Sequence, residues 1–474
     1  MKRRSVMRLA EALFFLIVLC AVVALVSFVV ERKESRMMFG GFLEEPEAYD
    51  VLLFGDSQCV TGVMPMEMYK DYGIAGYNLA SYSNMMPLCY WTMINALDYA
   101  SPKVVVFAVN GMFQDYKISR NSSDVHTAMD FWPLSVNKVR MINDLFDDPE
   151  HPDYDDVAGN RYRDLKWEYY FPLGKYHSRW SELTQADFAK RPSYARGGEF
   201  MTGVFPIFAY ETVDEDDYAE EGGYSFAYLR AAIEECLGRG IDVVLAHMPA
   251  PMIINSQRFA NTARSIADEY GIGFIDATLP DSIVDYAVDC MDEDPHLNNA
   301  GTLKMTAYLA SYLDRHYDLP DRRQDPGYAH WQEHLQAYTD EKMSVMRSQE
   351  SLENVLMLLH DTDYDFSLYI GADAPVWYDE LLILLMHNIA RERVLSGEEY
   401  DKSSNFMFPL EGFDAAIEEG GAYCLHRENG VWREERGAEA ESAVARALGA
   451  DAASTVAVDV YDRRTGETAA QKRF

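Results

Sequence analysis

The strongest constraint on the fold is a series of short apolar runs that alternate with segments of helical spacing. Residues 103–110, Lys-Val-Val-Val-Phe-Ala-Val-Asn, follow Ser-Pro and are apolar between their ends. Such a run is typical of a strand that is buried on both faces, as in a parallel sheet. Further strands are predicted at 49–54, 241–246 and 272–276, and residues 76–81 are predicted as a strand end with the loop that follows it. Helices are predicted between and after them, at 65–72, 86–100, 224–239, 259–270 and 301–316. This alternation predicts an α/β fold with a doubly wound, three-layer parallel sheet.

Two interruptions of this pattern suggest the domain organisation. Residues 114–222 are less regular and rich in aromatic and acidic side chains, which indicates a long insertion. The segment Leu-Pro-Asp-Arg-Arg-Gln-Asp-Pro at 319–326 has the composition of a boundary. We therefore predict an α/β domain at 35–320, a helical linker at 321–350 and a small α+β domain at 351–474.

The predicted C-terminal domain has its own regular segments, at 366–370 and 377–387. Its last two strands, 454–461 and 467–474, are joined by Asp-Arg-Arg-Thr-Gly, which suits a hairpin.

An uncharged apolar stretch of 19 residues lies near the N-terminus, at 12–30. As a helix it would be about 28 Å long, close to the thickness of a bilayer core. Lys2, Arg3, Arg4 and Arg8 precede it, and this basic excess predicts a cytoplasmic N-terminus. We interpret residues 1–34 as a cytoplasmic tip and signal anchor of a single-pass cell-membrane protein. A cleaved signal peptide or a lipoprotein signal is the alternative, but the run is long and no small-residue cleavage site follows it closely.

Charge and cysteine content narrow the possible functions. The formal net charge is -35, with 77 acidic and 42 basic residues, which argues against binding to nucleic acid. The six cysteines form no Cys-x-x-Cys pair, so a zinc or thioredoxin-like motif is not indicated. We expect no metal and no cofactor.

A candidate catalytic pair follows from the strand order. Gly-Asp-Ser at 55–57 directly follows the first predicted strand, so Ser57 is expected at the carboxyl end of the sheet, where α/β proteins build their sites. A serine nucleophile needs a base, and His296 lies in an acidic loop before the last helix of the α/β pattern. Neighbouring carboxylates could fix the tautomer of that histidine. The structural alternatives are an N-cap serine and a surface histidine.

Four sequence blocks resemble the SGNH (GDSL) hydrolase family: Gly-Asp-Ser at 55–57, Tyr-Asn-Leu-Ala at 77–80, Val-Asn-Gly at 109–111 and Asp-Pro-His-Leu-Asn at 294–298. The resemblance implies a flavodoxin-like SGNH domain with Ser57 as nucleophile and His296 as base. It also implies an oxyanion hole formed by the amide of Ser57, the amide of Ala80 and the side chain of Asn110.

The chain departs from the family pattern at three places. Ala80 replaces the usual glycine of the second block, and Asn110 precedes Gly111 where the family has Gly-x-Asn-Asp. The usual aspartate three residues before the histidine is replaced by Glu293, whereas Asp294 lies two residues before it. We favour Asp294 over Glu293 as the residue that orients His296.

The anchor, insertion and C-terminal region together resemble bacterial envelope proteins that assist the acylation of cell-surface polymers. Examples are the D-alanine transfer protein of teichoic acid operons and the alginate acetylation proteins, which work beside a multi-span membrane O-acyltransferase. The stretch 171–180 also resembles anchored SGNH proteins of Gram-positive bacteria, which suggests Tyr176, His177 and Arg179 as a wall of the acceptor site. An aromatic-rich packing insert is the alternative for this stretch.

Residues 366–374 and 456–462 resemble the interleukin-like EMT-inducer domain, whose relatives bind carbohydrate; a plain structural module is the alternative. Two functional hypotheses follow. The first is an esterase or transferase, with O-acetyl as the expected group, that acts on an envelope polysaccharide or teichoic-acid-like polymer. The second is a non-catalytic glycan-binding or assembly protein with a vestigial site.

Overall fold

A computed structural model describes most of the chain. It covers residues 2–31, 38–45, 49–188, 194–250, 253–278, 283–374, 379–389, 410–449 and 454–474, with backbone alone at 2–5 and 186.

The first sheet has five strands that are all parallel, as the alternating pattern predicts. They are β1 (Val51–Phe54), β2 (Gly76–Asn78), β3 (Val104–Ala108), β4 (Asp242–His247) and β5 (Gly273–Asp276). Their spatial order is β2-β1-β3-β4-β5. In a sheet of this order, successive strands are added on one side of β1 and then on the other. The carboxyl ends of β1 and β3, where this order reverses, form the usual ligand crevice. The parallel five-stranded sheet is therefore confirmed.

The helices of the N-terminal part run in chain order before, between and after these strands. They are α1 (Lys2–Val30), α2 (Ser57–Gly62), α3 (Pro65–Tyr72), α4 (Met86–Ala96), α5 (Ser122–Met129), α6 (Val136–Phe146), α7 (Tyr162–Tyr170), α8 (Leu173–Tyr176), α9 (Gly223–Gly238), α10 (Ile254–Tyr270) and α11 (Asn299–His316).

Alternate residues of the central strands enter two different hydrophobic cores. Leu52, Phe54 and Phe107 belong to one core, together with residues of α4, α9 and α10. Leu53 and Val106 belong to the other, together with residues of α3 and α11. Because successive side chains of a strand point to opposite faces, the sheet is covered on both sides. This explains why the strands read as continuous apolar runs.

The insertion predicted at 114–222 lies between β3 and β4 and carries α5 to α8. Trp132, Met141 and Tyr169 are buried in the first of the two cores. The helical part of the insertion is therefore packed on one face of the sheet, whereas Ile207 and Tyr210, later in the insertion, pack against the core on the other face.

A second sheet of five antiparallel strands is formed by the C-terminal part. Its strands are β6 (Tyr364–Ile370), β7 (Tyr423–Glu428), β8 (Val431–Arg436), β9 (Val456–Asp462) and β10 (Thr468–Arg473), in the order β10-β9-β6-β7-β8. The helices of this part are α12 (Ala329–Ser348), α13 (Leu352–Leu358), α14 (Glu380–Ile389), α15 (Glu411–Glu419) and α16 (Gly437–Leu448). Of the segment predicted at 377–387, residues 377 and 378 lie outside the described residues.

Helix α12 falls in the segment predicted as a linker, but it contributes to both cores. Trp331 and Tyr338 are buried with the first sheet, and Met343 and Met346 are buried with the second. A linker would be expected to expose most of its surface. This helix instead connects the two parts by packing against each.

Two buried lysines add ionic contacts at the same junction. Lys342 Nζ lies 2.8 Å from Glu67 of α3 and 2.8 Å from Asp361, and it also contacts Asp363. Lys304 of α11 lies 2.6 Å from Asp289 and donates to Asn388 Oδ1 of α14 at 2.9 Å. Unpaired buried charges are costly, so these contacts favour one arrangement of the two parts.

Helix α1 is long and apolar enough to cross a membrane. Its segment Val6–Val30 contains a stretch of 18 residues with a mean hydropathy of 3.3, and the segment is almost entirely exposed outside its last turn.

Candidate active site

The candidate site is a cavity of about 340 Å³ at the carboxyl end of the parallel sheet. It is lined by residues that follow β1, β2, β3 and β4 and by the loop before α11, namely Asp56, Ser57, Gln58, Tyr82, Ser83, Asn84, Asn110, Gly111, Phe113, Gln114, Asp124, Ile253, Asp294 and His296. The structure thus brings Ser57, Asn110, Asp294 and His296 to one cavity, as the strand order leads one to expect.

Ser57 is the first residue of α2, directly after the turn that leaves β1. The Asp56 carboxylate caps this helix by accepting from the Gln58 amide at 3.2 Å. The Ser57 amide therefore lies in the first helical turn, whose N–H groups have no acceptor within the helix. The Ser57 hydroxyl is half-buried and donates to Gln58 Oε1 at 3.3 Å.

Gln58 also joins the serine to the histidine loop, because its Nε2 donates to the backbone carbonyl of Asp294 at 3.1 Å. The side chain of Gln58 is 8% exposed, so this bridge is shielded from most solvent. Gln58 thus fixes the distance between the two segments that carry the predicted nucleophile and base.

The acidic partner of His296 is Asp292. Asp292 Oδ2 lies 2.7 Å from His296 Nδ1, and Asp292 Oδ1 accepts from the amides of Asp294 and His296 at 3.1 and 3.2 Å. Neither Asp294 nor Glu293 occupies this place, so the preference for Asp294 is corrected. That preference assumed an extended segment before Pro295, whereas the loop turns around the Asp292 carboxylate.

The second ring nitrogen of His296, Nε2, is buried and has no hydrogen-bond partner. The Tyr82 ring lies edge-on to the imidazole at 6.4 Å, and the Tyr82 hydroxyl donates to Glu199. Because Nδ1 faces a carboxylate, the neutral tautomer carries its proton there and leaves a lone pair on Nε2. His296 thus lines the cavity with one ring nitrogen held by a carboxylate and the other unpaired, which is the arrangement that a general base requires.

Two of the three predicted oxyanion donors are engaged in the fold. The Ala80 amide donates to Asn78 Oδ1 at 3.1 Å, and Ala80 does not line the cavity. The Asn110 side chain pairs with the Met248 backbone, donating at 2.9 Å and accepting at 2.8 Å. In the structure, Asn110 therefore holds the loop after β4. Of the three predicted oxyanion donors, this leaves the amide of Ser57, which lies in the first turn of α2.

The side-chain amide of Asn84 also lies in the cavity, and the sequence patterns do not indicate this group. Both polar side-chain atoms of Asn84 are buried without a hydrogen-bond partner, although Asn84 is only 4% exposed. Buried amides are nearly always paired, so an unpaired one in a cavity is a candidate ligand-binding group. The one available signal was its position in the loop after β2, at the same sheet edge as Ser57.

Asp56 has an unusual environment for a carboxyl group. Burial raises its pKa to about 7, although the nearby His296 and the Gln58 amide oppose this shift. The carboxyl also packs against Gly111, where a Cβ atom would lie 2.9 Å from Asp56 Oδ2. The glycine after Asn110 is therefore needed for close packing beside the Ser57 turn.

The three residues predicted as an acceptor wall lie elsewhere. The Tyr176 hydroxyl donates to Asp130 at 2.9 Å, His177 Nδ1 contacts the Gly174 carbonyl at 2.7 Å, and Arg179 contacts the end of α1. None of them lines the cavity that contains Ser57. The insertion reaches this cavity through Gln114 and Asp124 instead.

Among the residues that the structure describes, two groups of side chains have the composition of a metal site, and neither lies in this cavity. Glu67, Asp361 and Asp363 form one, but Lys342 Nζ already lies among them. Cys424, His426 and Glu435 form the other, on β7 and β8. The Arg433 guanidinium lies 3.3 Å from Glu435, so the charge of that carboxylate is already compensated.

Comparisons with known proteins add nothing to this description: no family model matches the chain, and no curated protein matches it.

Proposed function

We propose that the protein is a membrane-anchored serine acyl esterase or O-acyltransferase of the SGNH type. The observation that carries the proposal is the joint position of Ser57 and His296 in one cavity, with His296 Nε2 buried and unpaired while Nδ1 faces Asp292. A nucleophile, a base and a residue that orients the base are the minimum requirement for acyl transfer through serine.

The reaction begins when the Ser57 hydroxyl turns from Gln58 Oε1 to His296 Nε2. Catalytic hydrogen bonds often form only when substrate binds, so the present contact to Gln58 is compatible with this step. His296 takes the hydroxyl proton as the serine oxygen attacks the ester carbonyl. Asp292 stabilises the imidazolium, and the proton then passes from His296 to the departing alcohol.

The negative oxygen of the tetrahedral intermediate needs donors that are already in place. The Ser57 amide and the unpaired Asn84 side chain are the two groups that we assign to this role. Collapse of the intermediate leaves an acyl group on Ser57. Water or a sugar hydroxyl then attacks this ester while His296 accepts its proton. The bond from the acyl carbon to Ser57 breaks, and His296 returns the proton to the serine oxygen. Attack by water gives hydrolysis, and attack by a sugar gives transfer.

The proposed substrate is an O-acylated, most simply O-acetylated, cell-envelope polysaccharide or teichoic-acid-like polymer. A cavity of about 340 Å³ accommodates a small acyl group and part of one sugar. The apolar α1 supports an anchor that would hold the folded part beside the envelope. A multi-span membrane O-acyltransferase is the partner that the resemblance suggests.

The test is hydrolysis of an aryl acetate by the full chain in detergent. We expect Ser57→Ala and His296→Gln each to lower kcat by about 10³-fold or more, because the members of such a site act as a unit. Ser83→Ala, which alters another serine of the same cavity, is the matched control and should retain most of the activity. Equal rates for the wild type and Ser57→Ala would overturn the assignment.

A glycan-binding protein with a vestigial site is the second candidate. The observations that favour it are the engaged Ala80 amide and Asn110 side chain and the contact of the Ser57 hydroxyl with Gln58. This candidate predicts polymer binding that is unchanged in Ser57→Ala, together with no acyl-ester turnover.

A further inference from the structure

The outer end of α1 is fastened to the insertion by one arginine. Arg179 Nη1 donates to the carbonyls of Val30 and Glu31 at 2.7 and 2.8 Å, and Nη2 pairs with Asp187 at 3.0 Å. The last carbonyls of a helix lack partners within the helix, and a cation there also complements the helix dipole. Val30 is 4% exposed, so the end of the helix is packed as well as capped. The apolar helix therefore meets a defined surface of the folded part.

That surface exposes large aromatic side chains. Four lie within 22 residues of sequence, with exposed fractions of 52% for Trp167, 66% for Phe171, 72% for Trp180 and 62% for Phe188. Trp180 and Phe188 belong to short helical turns, His177–Ser181 and Gln185–Phe188, that contact α1. Aromatic side chains in such numbers are unusual on a water-exposed surface, whereas tryptophan is enriched where a membrane meets water.

The charge of the same region differs from that of the whole chain. Residues 161–188 contain five basic and four acidic residues, so this region is close to neutral although the chain has a net charge of -35. Cations beside exposed aromatics favour the headgroup region of a bilayer that contains anionic lipid.

We infer that residues 161–188, called here the interfacial segment, lie in the headgroup region of the outer leaflet. This inference rests on the proposed membrane anchor, because the segment touches the end of α1. Arg179 would then set the depth at which α1 leaves the bilayer, and Trp180 and Phe188 would enter the interface beside it. The folded part is thus held against the membrane surface instead of moving on a free tether.

The test is quenching of tryptophan fluorescence in the full chain, reconstituted into nanodiscs of phosphatidylcholine and phosphatidylglycerol. Lipids brominated near the top of the acyl chains quench only tryptophans at the membrane. Helix α1 contains no tryptophan, so the anchor itself gives no signal. We expect clear quenching in the wild type, and at least a twofold smaller quenched signal in the double variant Trp167→Phe with Trp180→Phe. Trp432→Phe, on β8, is the matched control and should leave the quenched signal unchanged.

Size-exclusion chromatography shows whether the chain is retained in nanodiscs, and this measurement tests the membrane anchor separately from the interfacial segment. A chain that is not retained would overturn the anchor and the inference together. A chain that is retained but shows no quenching, or loses as much quenched signal in Trp432→Phe as in the double variant, would overturn the inference and leave the anchor standing.

Discussion

At the scale of single residues, the loop around Asp292 decides how His296 is held. Its carboxylate accepts from two backbone amides of the loop and also contacts the imidazole Nδ1. Asp294 contributes backbone groups: its amide donates to Asp292 Oδ1, and its carbonyl accepts from Gln58. The sequence offered three acidic residues within five positions, and spacing cannot distinguish among them when the loop turns. The backbone conformation of the loop determines that Asp292, and not one of the other two acidic residues, contacts His296.

This contact predicts different effects for two neighbouring aspartates. Asp292→Asn should lower kcat for an aryl acetate by at least about 10²-fold, because an amide neither stabilises the imidazolium nor enforces the tautomer. Asp294→Asn is the matched control and should cost less than about threefold, since its side chain makes no contact with the imidazole. Steady-state kinetics at one pH measures both. A larger loss in Asp294→Asn would show that the loop rearranges when substrate binds.

Asn84 gives a second prediction at this scale. Asn84→Ala should lower kcat by about 10²- to 10³-fold with little change in KM, because the proposed contact forms mainly in the transition state. The same change should not lower the urea midpoint, since the fold provides no partner for this amide. Loss of stability together with unchanged kcat would assign Asn84 a structural role instead.

The sequence predicts Ser57 and His296 because each follows from strand order, which brings the carboxyl ends of β1 and its neighbours to one edge. Gln58 and Asn84 could not be found in this way, since their roles depend on side-chain directions within short loops. Arg179 shows the opposite error: a motif resemblance suggested the acceptor site, whereas the contact is with the carbonyls of Val30 and Glu31.

At the scale of elements, helix bounds were predicted accurately where the sequence carries residues that are typical of helix ends. Helix α3 begins at Pro65 and ends at Tyr72 as predicted, because proline suits the first turn and Gly73 adopts the left-handed conformation with φ of 73°. The hairpin of β7 and β8 was missed, although Asn429 and Gly430 form its turn with φ of 53° and 75°. Strand β8 is an exposed edge strand, and its charged sequence lacks the alternation that identifies strands.

The junction between α3 and α12 gives an element-scale prediction. Burial alone would lower the pKa of Lys342, but the carboxylates of Asp361, Asp363 and Glu67 raise it well above its usual value. Lys342→Met should therefore cost about 3–5 kcal/mol of unfolding free energy, because it leaves buried carboxylates uncompensated. Urea unfolding of the full chain in detergent measures this cost.

Lys166→Met is the matched control for this measurement. Lys166 pairs with Asp147, whose side chain is 57% exposed, so the loss should be below about 1 kcal/mol. Equal losses for the two variants would mean that the Lys342 cluster contributes no more than a surface pair.

At the scale of the whole molecule, one chain combines an apolar helix, a parallel sheet with a cavity at its carboxyl edge and an antiparallel sheet. The first two were predictable, because long apolar runs and strand–helix alternation are properties of extended stretches of sequence. The way α12 and the two buried lysines join the sheets was not, since it depends on contacts between residues far apart in the chain. Lys342 and Glu67, for example, are separated by 275 positions.

The central claim, that Ser57 is an activated nucleophile, is tested most directly by covalent labelling. The full chain in detergent is treated with a fluorophosphonate, and the modified peptide is identified by mass spectrometry. We expect a single modified serine, Ser57, with no labelling in Ser57→Ala, much slower labelling in His296→Gln, and normal labelling in Ser83→Ala. Labelling at another serine, or equal labelling of the wild type and Ser57→Ala, would contradict it.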